Sequence, residues 1–170
     1  VTAMDQACSE SPCPVPHDQR PLEEYRQLCS SWFFAWPSLT SAGLWRPLLI
    51  SWLLSLPLTA LISSGSWTLR HDPLRQVATA VVAAVLPALL LLSRQWLGWS
   101  YVNRRLIAER VEYEESGWYD GQVWEKPLAW RQQDLLVARH QVRPVLVRLR
   151  QALGLALLLL LSGAGLCQAL

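Results

Sequence analysis

Gln76-Val-Ala-Thr-Ala-Val-Val-Ala-Ala-Val-Leu-Pro-Ala-Leu-Leu-Leu-Leu-Ser93 decides the fold. No charged residue interrupts it, and Arg75 and Arg94 close its ends. A helix rises about 1.5 Å per residue, so some 20 apolar residues cross the ~30 Å hydrocarbon layer of a bilayer. Two more stretches have the same character. Residues 47–69 lie between Arg46 and Arg70, and residues 151–170 follow Arg150. The reading is an all-α integral membrane protein with about three transmembrane helices, at 45–63, 76–93 and 151–170.

Composition agrees. Of 170 residues, 52% are hydrophobic and 16% charged, on the membrane side of ordinary globular values. The net charge of +2 gives no argument for nucleic acid. Ten of the fifteen Lys/Arg residues fall within 94–150, with seven of the thirteen acids. Basic residues collect in cytoplasmic loops, so this segment is assigned to the cytoplasmic face. The N-terminus shares that face, two spans away. The 64–75 loop and the C-terminus face the other way, opposed only by Arg70 and Arg75.

The polar segments follow from punctuation and periodicity. Residues 1–21 are polar and Pro-rich, predicted extended and poorly ordered at the start. No apolar run follows a basic start there, so no secretory leader is expected. Residues 22–36 carry Leu22, Tyr25, Leu28, Trp32 and Trp36 at helical spacing, with Pro21 fit to be the first helical residue. This is an amphipathic helix expected to lie in the membrane interface. Pro57 is expected to kink the first span, and Pro87 lies inside the second. Residues 94–150 read as a cytoplasmic helical hairpin with an aromatic and acidic tip. Its first helix should run to about Glu114, end near Gly117, and be followed by a small hairpin or ordered loop around Asp120-Gly121. The second should cover about 128–143, interrupted at Pro144. Trp45, Trp67, Trp96 and Trp99 suit an interfacial belt; pigment packing is the alternative.

Chemistry-bearing residues are sparse. Glu109, Glu112, Glu114 and Glu115 form the densest acidic group, and on a helix Glu109 and Glu112 would share a face. With His140 across the hairpin, Glu109, Glu112 and Glu115 are the residues that an iron or zinc site would use. The Glu-x-x-His pattern of di-metal bundles is missing, and pairing with Arg104, Arg105, Arg110, Arg139 and Arg143 accounts for the acids more simply. Cys8, Cys13, Cys29 and Cys167 form no CxxC pair. Cys13-Pro14 is a dipeptide that sometimes ligates haem, but a reduced thiol is the plainer reading. No phosphate loop, nucleophile elbow or HExxH motif occurs, so catalytic residues are none and enzyme activity is not favoured. Three spans with no intramembrane acid or base offer no ion path, which argues against a transporter. Tyr113, Trp118, Tyr119, Asp120 and Trp124 crowd the tip. They suit recognition of a partner, or they cap the hairpin by packing with Trp130.

Several segments taken together resemble a known family. They are Cys13-Pro-Val-Pro, Gln19-Arg-Pro-Leu-Glu-Glu-Tyr25, Ser31-Trp-Phe-Phe-Ala-Trp36, Arg46-Pro47, Gly98-Trp-Ser-Tyr-Val102, Arg105-Leu106, Val111-Glu-Tyr-Glu-Glu-Ser-Gly-Trp-Tyr-Asp-Gly-Gln122, Lys126-Pro127 and Gln141-Val142 with Pro144. The chain over about 13–150 resembles the membrane-protein family shared by cyanobacteria and plastids and described as conserved in the green lineage and diatoms, known as a hypothetical chloroplast reading frame. The last span is outside the match. The resemblance implies a role in oxygenic photosynthetic membranes, thylakoid or plasma membrane in cyanobacteria and plastid membrane in plants and algae. It carries over no catalytic residues. Two readings follow: an accessory, assembly or maintenance factor contacting a membrane protein complex, and a cofactor-handling protein for iron, haem or chlorophyll.

Overall fold

The computed structural model describes residues 14–39, 41–66, 72–114 and 121–169. The chain is mostly helical, and three of its helices are long and apolar enough to cross a membrane: Gly43–Ser64, Pro73–Ile107 and Leu128–Ala169. A His17–Gln19 turn leads into α1, Pro21–Ser30, followed by the short α2, Trp36–Leu39. The first apolar stretch forms α3, Ser41–Ser64, with Pro47 and Pro57 inside it. The second forms α4, Pro73–Ala83, and α5, Val85–Ile107. Strands β1, Arg110–Tyr113, and β2, Gln122–Glu125, pair antiparallel. Helix α6, Leu128–Val137, passes through a π turn, Ala138–Val142, into α7, Arg143–Ala169.

Prolines explain the irregularities. Pro87 has no N–H and crowds the carbonyl four residues back, and the helix breaks beside that position, at Ala84. Polar groups of α3 serve the carbonyls around the break. Thr59 Oγ1 lies 2.9 Å from the Ala80 oxygen, Ser55 Oγ 3.0 Å from that of Ala84, and Trp52 Nε1 donates to Val81 at 3.3 Å. Within hydrocarbon such carbonyls have no water to turn to. Pro144 was expected to interrupt its helix, but the axis continues. The turn before it is widened to π, with the Arg143 N–H bonded to the Ala138 carbonyl, which makes room for the ring.

Helices α5 and α7 pack along each other and α4 packs on α3 and α7. The core runs from Ala88, Leu92, Trp99, Val102 and Leu106 on α5 to Ala138, Val142, Val145, Leu149 and Ala152 opposite.

Four expectations need correction. Helix α5 stops at Ile107 instead of near Glu114, because Arg110–Tyr113 alternates exposed and buried as a strand does. The 22–36 helix stops at Ser30, and Trp32, Phe33 and Phe34 fold into turns. His17–Gln19 form a helical turn instead of an extended segment, with Val15 before it buried against Val111 and Tyr113. Trp99 is a core residue and not an interfacial anchor. Trp67, Gly117 and the Cys8 and Cys13 thiols lie outside the described residues.

Candidate functional site

The polar residues that fold most deeply are structural, and they lock a module onto the end of α5. Lys126 and Asp134 are both buried, with Lys126 Nζ 2.7 Å from Asp134 Oδ2. The same ammonium donates to the carbonyls of Arg105 at 2.9 Å and Leu106 at 3.3 Å. An ammonium has three donors, and here it meets three acceptors. Two of these are last-turn carbonyls that a helix leaves without partners. A cation is also favoured at that end of the helix dipole. Burial pushes the Asp134 carboxyl above its ordinary value, and the bond and charge of Lys126 pull against that shift.

Arg105 ties three segments together. Its guanidinium is 2.7 Å from Glu24 Oε1, and it donates to the backbone oxygens of Gln19 at 3.0 Å and Glu112 at 3.1 Å. Glu24 is held above the usual carboxylate range, because burial outweighs the attraction of Arg105. Its second oxygen, Oε2, is buried and meets no donor. The Gln19 amide extends the hairpin edge: it donates to the Glu114 oxygen at 2.9 Å and accepts from the Glu114 N–H at 2.8 Å.

The aromatic turn after α1 is pinned from α5. Gln95 Nε2 donates to the Phe33 carbonyl, and Trp99 Nε1 to that of Phe34 at 3.3 Å. The Phe34 ring lies against Gly98, where an added Cβ would come within 2.7 Å of it. The Arg94 guanidinium stands 5.2 Å from the ring centre. Trp32, at the front of the turn, is 88% exposed.

The sequence-predicted residues divide. Glu109 precedes β1 and is 3.8 Å from Arg131, while Glu112 sits on the exposed side of β1, so the two do not share a helix face. His140 is exposed on the π turn. Among the described residues, no three His, Cys, Asp or Glu side chains converge. Tyr113 is turned inward and buried, its hydroxyl 2.7 Å from Gln122 Oε1. Trp124 packs edge-on against Trp130, ring centres 5.5 Å apart. Glu115, Trp118, Tyr119 and Asp120 lie outside the described residues. Sequence reasoning missed the Lys126–Asp134 pair. A signal for it exists: Lys126 is the only Lys among fifteen basic residues, and Asp134 the only acid after Glu125.

These features define a helical protein with three membrane-capable helices and a small polar module seated on the end of α5. Comparison with known sequences supplies the family. A family model described as CGLD27-like, conserved in the green lineage and diatoms 27, matches residues 13–155, and the chain belongs to this family. It is 38% identical over 151 residues to uncharacterized protein ycf36 of Pyropia yezoensis, covering 89% of this chain and 91% of that one. Identity to the ycf36 protein of Cyanophora paradoxa is 40% over 148 residues, covering 87% and 93%. The Arabidopsis thaliana protein conserved in the green lineage and diatoms 27, named as chloroplastic, is 36% identical over 140 residues, 82% of this chain and 43% of its own length. No solved structure matches the chain.

Proposed function

We propose that this protein is a non-enzymatic accessory or assembly and maintenance factor of oxygenic photosynthetic membranes, working by contact with a membrane protein complex. In this reading its three apolar helices cross a thylakoid or plasma membrane, or a plastid membrane in algae and plants. The N-terminus and residues 94–150 face the cytoplasm or its plastid equivalent. The Trp32 turn lies level with Arg94–Trp99 and anchors in the headgroup layer.

One observation carries the reading. Leu128 is 74% exposed and Leu136 59% exposed, eight residues apart on α6. Counted back from Arg150 at 1.5 Å per residue, they stand about 33 Å and 21 Å beyond the apolar stretch. The headgroup zone adds only ~5–8 Å on each side. Lipid therefore does not cover these leucines, and Val123 on β2 is 59% exposed as well. Apolar side chains held in water on a rigid module suit a protein partner. The tip residues Trp118, Tyr119 and Asp120 would extend that surface.

Co-purification from a photosynthetic host tests this. A Leu128→Lys/Leu136→Lys variant, and separately Trp118→Ala, should lose the partner at least tenfold while membrane abundance holds. A partner retained by both variants would refute the reading. Loss of bound metal or pigment in a Glu112→Gln/Glu115→Gln variant, with the partner retained, would favour cofactor handling.

A further inference from the structure

Helices α4 and α7 touch tightly at one point and part beside it. At Gly163 an added Cβ would come within 2.5 Å of Val82, so the backbones approach closely there. Next to that contact the surface opens into a groove of about 670 Å3. This lies within the size range of small-molecule sites. Its lining includes Ala83, Leu86, Leu160 and Ala164, with Arg75 near the start of α4 and Gln168 near the end of α7. The groove is mostly apolar, with Thr79 in its wall, and cationic at one end.

We propose that this groove holds one anionic lipid from the surrounding bilayer, its headgroup on Arg75 and one acyl chain against Ala83, Leu86, Leu160 and Ala164. Three observations choose the occupant. Arg75 ends the uncharged stretch, so it stands where hydrocarbon meets headgroups. From Arg75 to Leu86 is eleven residues, about 16 Å of helix. Half of a ~30 Å hydrocarbon layer is ~15 Å, so the groove is as long as one leaflet's chains are deep. Arg75 is half-buried, and none of the ion pairs among the described residues includes it. A guanidinium at headgroup level pairs bidentately with phosphate or sulfonate oxygens. The inference does not depend on the proposed function.

Native mass spectrometry of the delipidated full chain, titrated with phosphatidylglycerol or phosphatidylcholine, tests it. The first phosphatidylglycerol should bind about fivefold tighter than the first phosphatidylcholine, the effect of one basic side chain at a membrane surface. Arg75→Gln should abolish that preference, and Arg139→Gln, on the exposed side of the polar module, should leave it intact. Ala164→Leu should remove the tight first lipid of either kind. Glycerophosphoglycerol, the same headgroup without chains, should leave the first site empty, which tests the chain contact even if Ala164→Leu does not fold. Equal affinity of the wild-type chain for the two lipids would overturn the proposal. So would a preference surviving in Arg75→Gln, a preference lost equally in Arg139→Gln, or first-site occupancy by the chainless headgroup.

Discussion

Lys126 is the residue whose loss should cost the fold most per atom removed. Its ammonium bonds Asp134 and the carbonyls of Arg105 and Leu106 in a buried setting. Lys126→Met keeps the stem and removes all three bonds. Removing one partner of a buried pair costs about 3–5 kcal/mol. The lower end applies, because burial already raises the Asp134 carboxyl and lets it take up a proton in place of its lost partner. About 3 kcal/mol is a roughly 150-fold change in the folding equilibrium. Lys126→Arg should also destabilise, since a planar fork cannot aim at three acceptors set around a point charge. The double variant Lys126→Met/Asp134→Leu should recover to within about 1 kcal/mol of the wild type, as apolar replacement of a buried pair often does. Denaturant titration in detergent, followed by Trp fluorescence, reads this out through the nearby Trp124–Trp130 pair. A Lys126→Met variant within about 0.5 kcal/mol of wild type would refute the capping argument. Strictly additive single and double effects would refute the pairing.

Other expectations follow from the same contacts. Gly163→Ala should destabilise by about 1–3 kcal/mol by forcing α4 from α7, whereas Gly154→Ala, with open space around its Cβ position, should be neutral or stabilise by up to ~1 kcal/mol through helix propensity; parallel denaturation curves compare them. Gly98→Ala should displace the Phe34 ring and shift the emission of the Trp99 indole bonded beneath it, which steady-state fluorescence detects. The raised carboxyls of Glu24 and Asp134 bind protons more readily in the folded chain than in the unfolded one. Their contribution to stability is therefore greatest at low pH. It falls as pH rises from the ordinary values of 4.5 and 3.8 through the raised ones. Glu24→Gln should flatten that slope in unfolding midpoints measured across the acid range.

The membrane-capable helices were legible because a run without charge is a one-dimensional signal. Residues 76–93 needed no partner to be read. The break at Ala84 was not read: Pro87 was placed inside the second span and the kink was expected at Pro57 in the first. The strand at Arg110–Tyr113 was misread as helix because Val111 fitted the apolar spacing begun by Leu106. The sharper clue was the two-residue alternation of Val111 and Tyr113, which face Trp124 and Gln122 across the hairpin. The clamps were least legible. Arg105 meets Glu24 across 81 residues and Gln95 meets Phe33 across 62, and no local pattern encodes such pairings. Trp99 looked like a belt residue because its neighbours in sequence are amphipathic. Only the turn folded over it shows that the indole is inside. Lys126 could have been found: a lone Lys in a chain that otherwise uses Arg marks a place where a compact ammonium fits and a guanidinium does not.

The central claim is that the polar module, together with the part of the third long helix that precedes Arg150, presents a surface to another protein. Site-specific photocrosslinking in a photosynthetic host addresses it directly. A photoreactive side chain placed at Leu136 should yield one discrete adduct with a membrane protein, and the same partner should be captured from position 118. Placed at Leu158, on an exposed face of the apolar part of α7, it should yield lipid adducts alone. Lipid or background adducts from position 136, or an identical adduct pattern from 136 and 158, would contradict the account.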